Sequence, residues 1–164
     1  MKQFVATTKN GFDVYVDTEH SHAATHLKET PKLLDLVKEI LAEYEVEKEM
    51  IRFETNMGRI VGPTDLVETR EGDEIFYAKR PNREEYTRFV RNKKRPQTRF
   101  VTIHLDKKDS DECHLFTAWI GRLTPPFPTG KEDTEESKEF WSNHALVAET
   151  QTIVPGTETK ECPW

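Results

Sequence analysis

The segment from Thr30 to Tyr44 constrains the fold of this 164-residue chain more than any other part of the sequence. Its apolar residues recur at the spacing of one helix face: Leu33, Leu34, Val37, Ile40, Leu41 and Tyr44. Thr30 is a residue type favoured at the N-cap, and Pro31 suits the first helical position. The sequence therefore predicts an amphipathic helix that begins directly after Thr30.

Short apolar segments on both sides of this helix have the pattern of strands. Phe4 to Thr7 and Phe12 to Val16 flank an Asn-Gly turn signal, which predicts a hairpin. Met50 to Glu54 and Gly72 to Ala78 read as later strands. Hairpin, helix and further strands in this order resemble the β-grasp of ubiquitin-like proteins, and the resemblance covers residues 1–78.

The second half of the chain begins with two alternating segments, Phe100 to Leu105 and Cys113 to Ile120, which predict an antiparallel pair. The period of two places these residues on the core face: Val101, Ile103, Leu105, Phe116, Ala118 and Ile120. It places these on the other face: Thr102, His104, Thr117 and Trp119.

A proline-rich loop, 123–130, leads to a short helix for which Thr134 is the expected N-cap, and a last strand is predicted from Ala145 to Val154. Phe140, Trp141 and His144 share one face of that helix. We therefore predict an α+β protein, with a β-grasp-like N-terminal part at 1–78. Residues 79–164 are predicted to contain a basic segment and a mostly antiparallel β-sheet part with one short helix.

Charge is distributed unevenly along the chain. The net charge is −6, yet residues 79–99 hold nine Lys or Arg and two acids, a local balance of +7. The remainder has 15 basic and 28 acidic residues and carries −13. A contrast of this size indicates an anionic partner for the basic segment.

Several classes of protein are not favoured by the sequence. No apolar run approaches the roughly 18–20 residues of a membrane span, and the start lacks a secretory signal, so we expect a cytoplasmic protein without membrane contact. Cys113 and Cys162 form no Cys-x-x-Cys pair, and no cofactor fingerprint is present. His20, His22 and His26 form an incomplete metal motif, and we interpret them as exposed loop residues. No metal or cofactor is predicted.

The basic segment interleaves cations with aromatic rings, a combination that suits phosphate binding and stacking of unpaired bases. The predicted nucleic-acid contacts are Lys79, Arg83, Tyr86, Phe89, Arg91 and Arg99. Two alternatives remain open. The segment can be a solvated charged strand or loop paired with acids elsewhere, or it can bind an acidic protein.

Metal-independent RNA cleavage needs an acid or base and cations at the phosphorane. His144 is the candidate acid or base, Arg80 and Arg88 are candidate phosphate-stabilising cations, and Thr117 is a candidate hydrogen-bond donor. The alternative for His144 is a histidine at the edge of the core, satisfied by one hydrogen bond.

Motifs across residues 65–164 carry a resemblance: Asp73 to Arg83, Thr87 to Val90, Thr117 to Gly121, the Pro125–Pro128 loop, and Phe140 to Val147. Together they resemble a family of uncharacterised bacterial and phage proteins. The layout is faintly similar to the ribonuclease toxins grouped with barnase and RelE, which implies roles for Arg80, Arg88, Thr117 and His144. The predicted function is RNA binding with metal-independent endoribonuclease activity. The alternative is a non-enzymatic adaptor or inhibitor that binds an acidic protein through residues 79–99.

Overall fold

A computed structural model describes residues 1–19, 22–132 and 134–164, without the side chain of His22. The α+β class is confirmed, because helices and several mostly antiparallel sheets are present. The chain forms two compact units. The first contains residues 1–62 and 98–123, and the second contains residues 63–97 and 124–164.

The elements follow one another along the whole described chain. The strands are β1 (Lys2–Thr7), β2 (Asp13–Asp17), β3 (Met50–Asn56), β4 (Gly62–Pro63), β5 (Leu66–Glu68), β6 (Glu74–Lys79), β7 (Tyr86–Arg91), β8 (Gln97–Thr98), β9 (Phe100–Lys107), β10 (Glu112–Ile120) and β11 (His144–Val147). The helices are α1 (His22–Glu29), α2 (Pro31–Glu43) and α3 (Glu135–Asn143), and a 3-10 turn covers Ala148–Thr150.

The first unit is a five-stranded sheet with helices packed on one face. Its strand order is β1-β2-β10-β9-β3, and only the β10–β2 pair is parallel. The helix predicted after Thr30 is confirmed as α2, with Pro31 in its first turn. Its stripe is buried against the sheet through Leu33, Leu36, Val37, Ile40 and Leu41.

The N-terminal hairpin and helix form as predicted, but the sheet is completed differently. The strand predicted at 72–78 is β6, which belongs to the second unit. The first sheet takes β9 and β10 from residues 100–120 instead. The units are therefore interleaved along the chain and do not follow the predicted division into 1–78 and 79–164. Long-range strand pairing explains the difference, because β9 pairs with β3 over seven residue pairs.

A β-bulge changes the predicted faces of β10. Leu115 is opposite Leu105 and Thr117 is opposite His104, so Phe116 is the extra residue. Leu115 is buried in the core, whereas Phe116 is 48% exposed. The prediction that Phe116 faces the core is therefore wrong. The register confirms that Thr117 and Trp119 share a face with His104 and Thr102.

The second unit is built on a four-stranded sheet with the order β5-β11-β7-β6. The predicted basic segment therefore contains an internal strand, β7, which pairs with β6 on one side and runs parallel to β11 on the other. Apolar residues of β7 fill the core on both faces, because Phe89 and Val90 are both fully buried. The last strand is shorter than predicted, since β11 ends at Val147.

The short helix α3 begins as predicted. The Thr134 hydroxyl accepts a hydrogen bond from the Ser137 amide at 3.1 Å, and Glu135 and Glu136 lie in the first turn. The helix ends at Asn143, so His144 is the first residue of β11 and not a helical residue. Within the ranges that the structure describes, no helix is long and apolar enough to cross a membrane.

Candidate functional site

Three cations of the second unit lie at the turn between β6 and β7. We call Lys79, Arg80 and Arg83 the cationic turn. Asn82 lies between them with a φ of 62°, a left-handed conformation that asparagine tolerates better than most residues. The Lys79 ammonium lies 5.2 Å from the centre of the Tyr86 ring. Cations and a ring therefore meet at one end of the sheet.

Arg80 is the central residue of this turn. Its Nε donates a hydrogen bond to the buried Thr87 hydroxyl at 3.1 Å, and its guanidinium lies 5.0 Å from the centre of the Phe127 ring. Burial, together with the nearby charge of Arg83, lowers the pKa of Arg80 to about 10, while Glu85 and Asp65 act in the opposite direction. Within the described residues no carboxylate forms an ion pair with Arg80, so its charge is incompletely compensated.

The proline-rich loop supplies the surface beside Arg80. Phe127 stacks on Trp141 with ring centres 4.4 Å apart, and the Trp141 indole donates to the Pro125 carbonyl at 3.1 Å. The Tyr86 amide donates to the Thr129 hydroxyl at 2.6 Å, which fixes the loop to β7. These contacts hold the Phe127 ring against the cationic turn.

Three other cations of the basic segment are paired with acids. Arg91 pairs with Glu158 at 3.2 Å, Lys93 with Asp73 at 2.8 Å and Arg95 with Asp65 at 2.7 Å. Arg83 is 3.4 Å from Glu85, but its side chain is exposed, so the pair is weak. The interpretation of a charged strand paired with acids therefore fits Arg91, Lys93 and Arg95 and does not fit Arg80.

Arg88 connects neighbouring strands of the sheet. Its Nη1 donates to the Thr69 hydroxyl at 2.7 Å and to the His144 carbonyl at 3.0 Å. Its Nε is buried and makes no hydrogen bond within the described part of the chain. A guanidinium that binds backbone and hydroxyl groups in this way positions β7 and β11.

The His144 side chain is held by Phe140 of the preceding helix, α3. Its ring lies parallel to the Phe140 ring at 4.0 Å, and its Nδ1 is 2.9 Å from the Phe140 carbonyl oxygen. Because a carbonyl only accepts, Nδ1 is the donor in this hydrogen bond. Alternation along β11 places this imidazole on the face of Leu146 and Phe89, opposite to the Arg88 side chain. The two side chains therefore do not converge.

Three other predicted site residues have different surroundings. Phe89 is fully buried in the core, so it is not accessible for stacking on a base. Thr117 and Arg99 belong to the first unit, where Arg99 donates to the Gly58 carbonyl at 3.1 Å. Of the residues predicted from the sequence, the structure therefore brings together Lys79, Arg80, Arg83 and Tyr86.

Thr117 lies on the outer face of the first sheet, opposite His104. His104 is buried, its ring packs against Phe116 at 4.8 Å, and its Nε2 is 3.8 Å from an Asp106 carboxylate oxygen. Both of these atoms are buried without a hydrogen bond in the described residues. Burial lowers the pKa of His104, and the nearby Arg52 charge acts in the same direction, while Asp106 opposes them.

This environment predicts a pH dependence of stability. Because the pKa of His104 is lower in the folded state, the unfolded chain binds more protons as pH falls below about 6.5. We expect the free energy of unfolding to fall with pH in that range, and to fall less in His104→Gln. Urea denaturation of both proteins at several pH values measures this difference, and equal slopes would contradict it.

The histidines near the N-terminus fall partly outside the described residues. His20 lies there, while His26 is an exposed residue of α1, so this stretch is helical from His22 and not the predicted loop. Across the described ranges, no group of three His, Cys, Asp or Glu side chains is arranged to hold a metal ion. Cys113 is a buried free thiol and Cys162 is an exposed one.

Sequence reasoning missed three residues of the site: Thr87, Phe127 and Thr129. Thr87 and Phe127 belong to motifs that carry the resemblance, but those motifs gave neither residue a role in the site, and Thr129 lies outside them. Their proximity follows from long-range contacts of the loop with the β6–β7 hairpin, such as that between Gly130 and Glu85.

In comparisons with known proteins, no family model, curated protein or solved structure matches this chain. The resemblances stated from the motifs therefore remain predictions.

Proposed function

We propose that this protein binds RNA through the cationic turn and the Phe127 ring. The observation that carries the proposal is Arg80, whose partly buried guanidinium has a hydrogen bond at Nε but forms no ion pair within the described residues, although Glu85 and Asp65 act on its charge from a longer distance. The positive charge of Arg83 close to Arg80 destabilises the charged form of Arg80, and an anion that binds there offsets this repulsion. A phosphate group supplies that anion with charge-assisted hydrogen bonds.

The surroundings favour a nucleic acid over a simple anion. Rings of Phe127 and Tyr86 lie beside Arg80 and Lys79, and unpaired bases stack on such rings with little sequence preference. Arginine near a ring also fits the guanidinium and aromatic platforms of proteins that bind single strands. Single-stranded RNA is therefore the proposed ligand.

The geometry supports binding better than cleavage. A catalytic role for His144 requires a second group near its imidazole, yet the Arg88 side chain lies on the opposite face and is engaged by Thr69 and a carbonyl. We therefore propose RNA binding without endoribonuclease activity, and the test below also detects cleavage.

The proposal is tested by incubating the purified protein with labelled single-stranded RNA in EDTA and separating the products on a gel. We expect retardation of the RNA without cleavage, and weaker retardation by Arg80→Gln. Cleavage that is lost in His144→Ala would instead support the nuclease.

Two results would contradict the proposal that RNA binds at the cationic turn. One is the absence of retardation at low salt, which would favour an acidic protein partner for the same cations. The other is equal retardation by the wild type and Arg80→Gln. Lys38→Gln, which removes an exposed charge from α2 in the first unit, is the matched control.

A further inference from the structure

Strand β3 forms one edge of the five-stranded sheet and leaves a row of backbone groups open. The hydrogen bonds from the Met57 amide to the Arg99 carbonyl and from the Lys107 amide to the Glu49 carbonyl place the odd-numbered residues toward β9. The N–H and C=O groups of the even-numbered residues therefore point away from the sheet. These residues are Met50, Arg52, Glu54 and Asn56.

This edge lacks two common protections against strand addition, a β-bulge and a proline. The opposite edge, β1, has a bulge between Phe4 and Ala6 and carries Lys2. In contrast, β3 pairs continuously with β9 over all seven residues and contains neither proline nor lysine. No other backbone segment in the described residues pairs with its open side. A long, regular edge of this kind is a template for another strand.

The side chains along the open edge indicate which strand fits. Arg52 and Glu54 both project from the outer face of the sheet, because their register partners are His104 and Thr102. Arg52 is exposed and forms no ion pair within the part of the chain that the structure describes. Glu54 is partly exposed and pairs with Arg122 at 3.1 Å. The edge thus carries a positive and a negative charge two residues apart.

We propose that β3 pairs in antiparallel fashion with β3 of a second copy of this chain, so that two sheets join into one. A two-fold axis at Phe53 places Arg52 of each copy opposite Glu54 of the other, and Met50 opposite Asn56. All four of these pairs use only the even-numbered residues, whose backbone groups are open. Backbone pairing and charge complementarity therefore select the same register.

Neighbouring registers are disfavoured by the same two charges. Moving the axis to Arg52 places the two Arg52 side chains opposite each other, and moving it to Glu54 does the same for the two carboxylates. A shift of one residue pairs even with odd positions, which breaks the hydrogen bonds of the open edge and inverts the faces. The axis at Phe53 is the register that satisfies both conditions.

A charge-swap series tests the proposal on the full-length chain. Sedimentation equilibrium over a wide range of concentration is expected to show a monomer–dimer equilibrium for the wild type. Arg52→Glu and Glu54→Arg each replace two attractive contacts per dimer by two repulsive ones, so each is expected to raise the dimer Kd by about tenfold or more. The double variant restores opposite charges and is expected to return close to the wild-type Kd.

Controls distinguish the interface from general effects of charge or folding. Lys38→Glu changes the net charge as Arg52→Glu does, and Arg122→Gln removes the internal partner of Glu54. Neither is expected to change the dimer Kd, and circular dichroism verifies folding of every variant. A wild type that stays monomeric, single variants that dimerise normally, or a folded double variant that fails to recover would each overturn the proposal.

Discussion

Replacing Trp141 by alanine is expected to lower the free energy of unfolding by about 3–5 kcal/mol, the usual cost of removing a large buried aromatic side chain. Trp141 is fully buried in the second unit and stacks on Phe127. Its indole also satisfies the Pro125 carbonyl, which would lose its partner. Because whole domains are stable by only about 5–15 kcal/mol, this loss is large. Urea denaturation followed by circular dichroism measures it.

The substitution also affects the candidate site, since Trp141 is the residue on which Phe127 rests beside Arg80. We therefore expect weaker RNA binding by Trp141→Ala under conditions in which it is still folded. Trp119→Ala is the matched control, because Trp119 is only partly buried and lies on the outer face of the first sheet. Equal losses of stability for the two variants would contradict the packing described for Trp141.

Neutralising the cationic turn with Lys79→Gln, Arg80→Gln and Arg83→Gln together is expected to weaken RNA binding at low salt by about 100-fold, equal to roughly 2.7 kcal/mol. The reason is the loss of three charge-assisted contacts to phosphate, among which that of Arg80 is the least screened by solvent. Fluorescence anisotropy of a labelled single-stranded RNA measures the change in Kd.

A second triple variant separates local contacts from net charge. Lys9→Gln, Lys32→Gln and Lys38→Gln remove the same amount of charge from exposed positions of the first unit. This variant is expected to bind RNA almost as well as the wild type. A similar loss in both variants would mean that overall charge, and not the cationic turn, governs binding.

Local patterns predicted the individual elements well. The stripe from Leu33 to Leu41 and the Thr134 cap specify α2 and the start of α3 through contacts within a few residues, which the sequence displays directly. The Asn-Gly turn likewise specifies the hairpin of β1 and β2. These signals depend on residues close together in the sequence, so they do not depend on how the rest of the chain folds.

The assembly of the elements was not predictable in the same way. Strand β6 has the pattern of a partner for the first sheet, yet it pairs with β7, and β9 and β10 return from residues 100–120. The bulge at Phe116 was also missed, because alternation along a strand contains no sign of an extra residue. Long-range pairing decides both features.

In the candidate site, too, local features were predictable from the sequence and long-range contacts were not. The concentration of cations was evident from the sequence, and Arg80 was among the residues named. The sequence did not reveal that Arg91, Lys93 and Arg95 are paired with acids from other segments, or that Phe89 is a core residue. Charge counts along a chain cannot distinguish a free cation from one that its own fold neutralises.

The most direct test of the central claim is the salt dependence of RNA binding by the wild type and the triple variant of the cationic turn. Each phosphate contact on a single strand contributes about 0.7 to the slope of log K against log salt concentration. We predict that the slope of the triple variant is smaller in magnitude by about 2. A slope equal to that of the wild type would contradict phosphate binding by Lys79, Arg80 and Arg83.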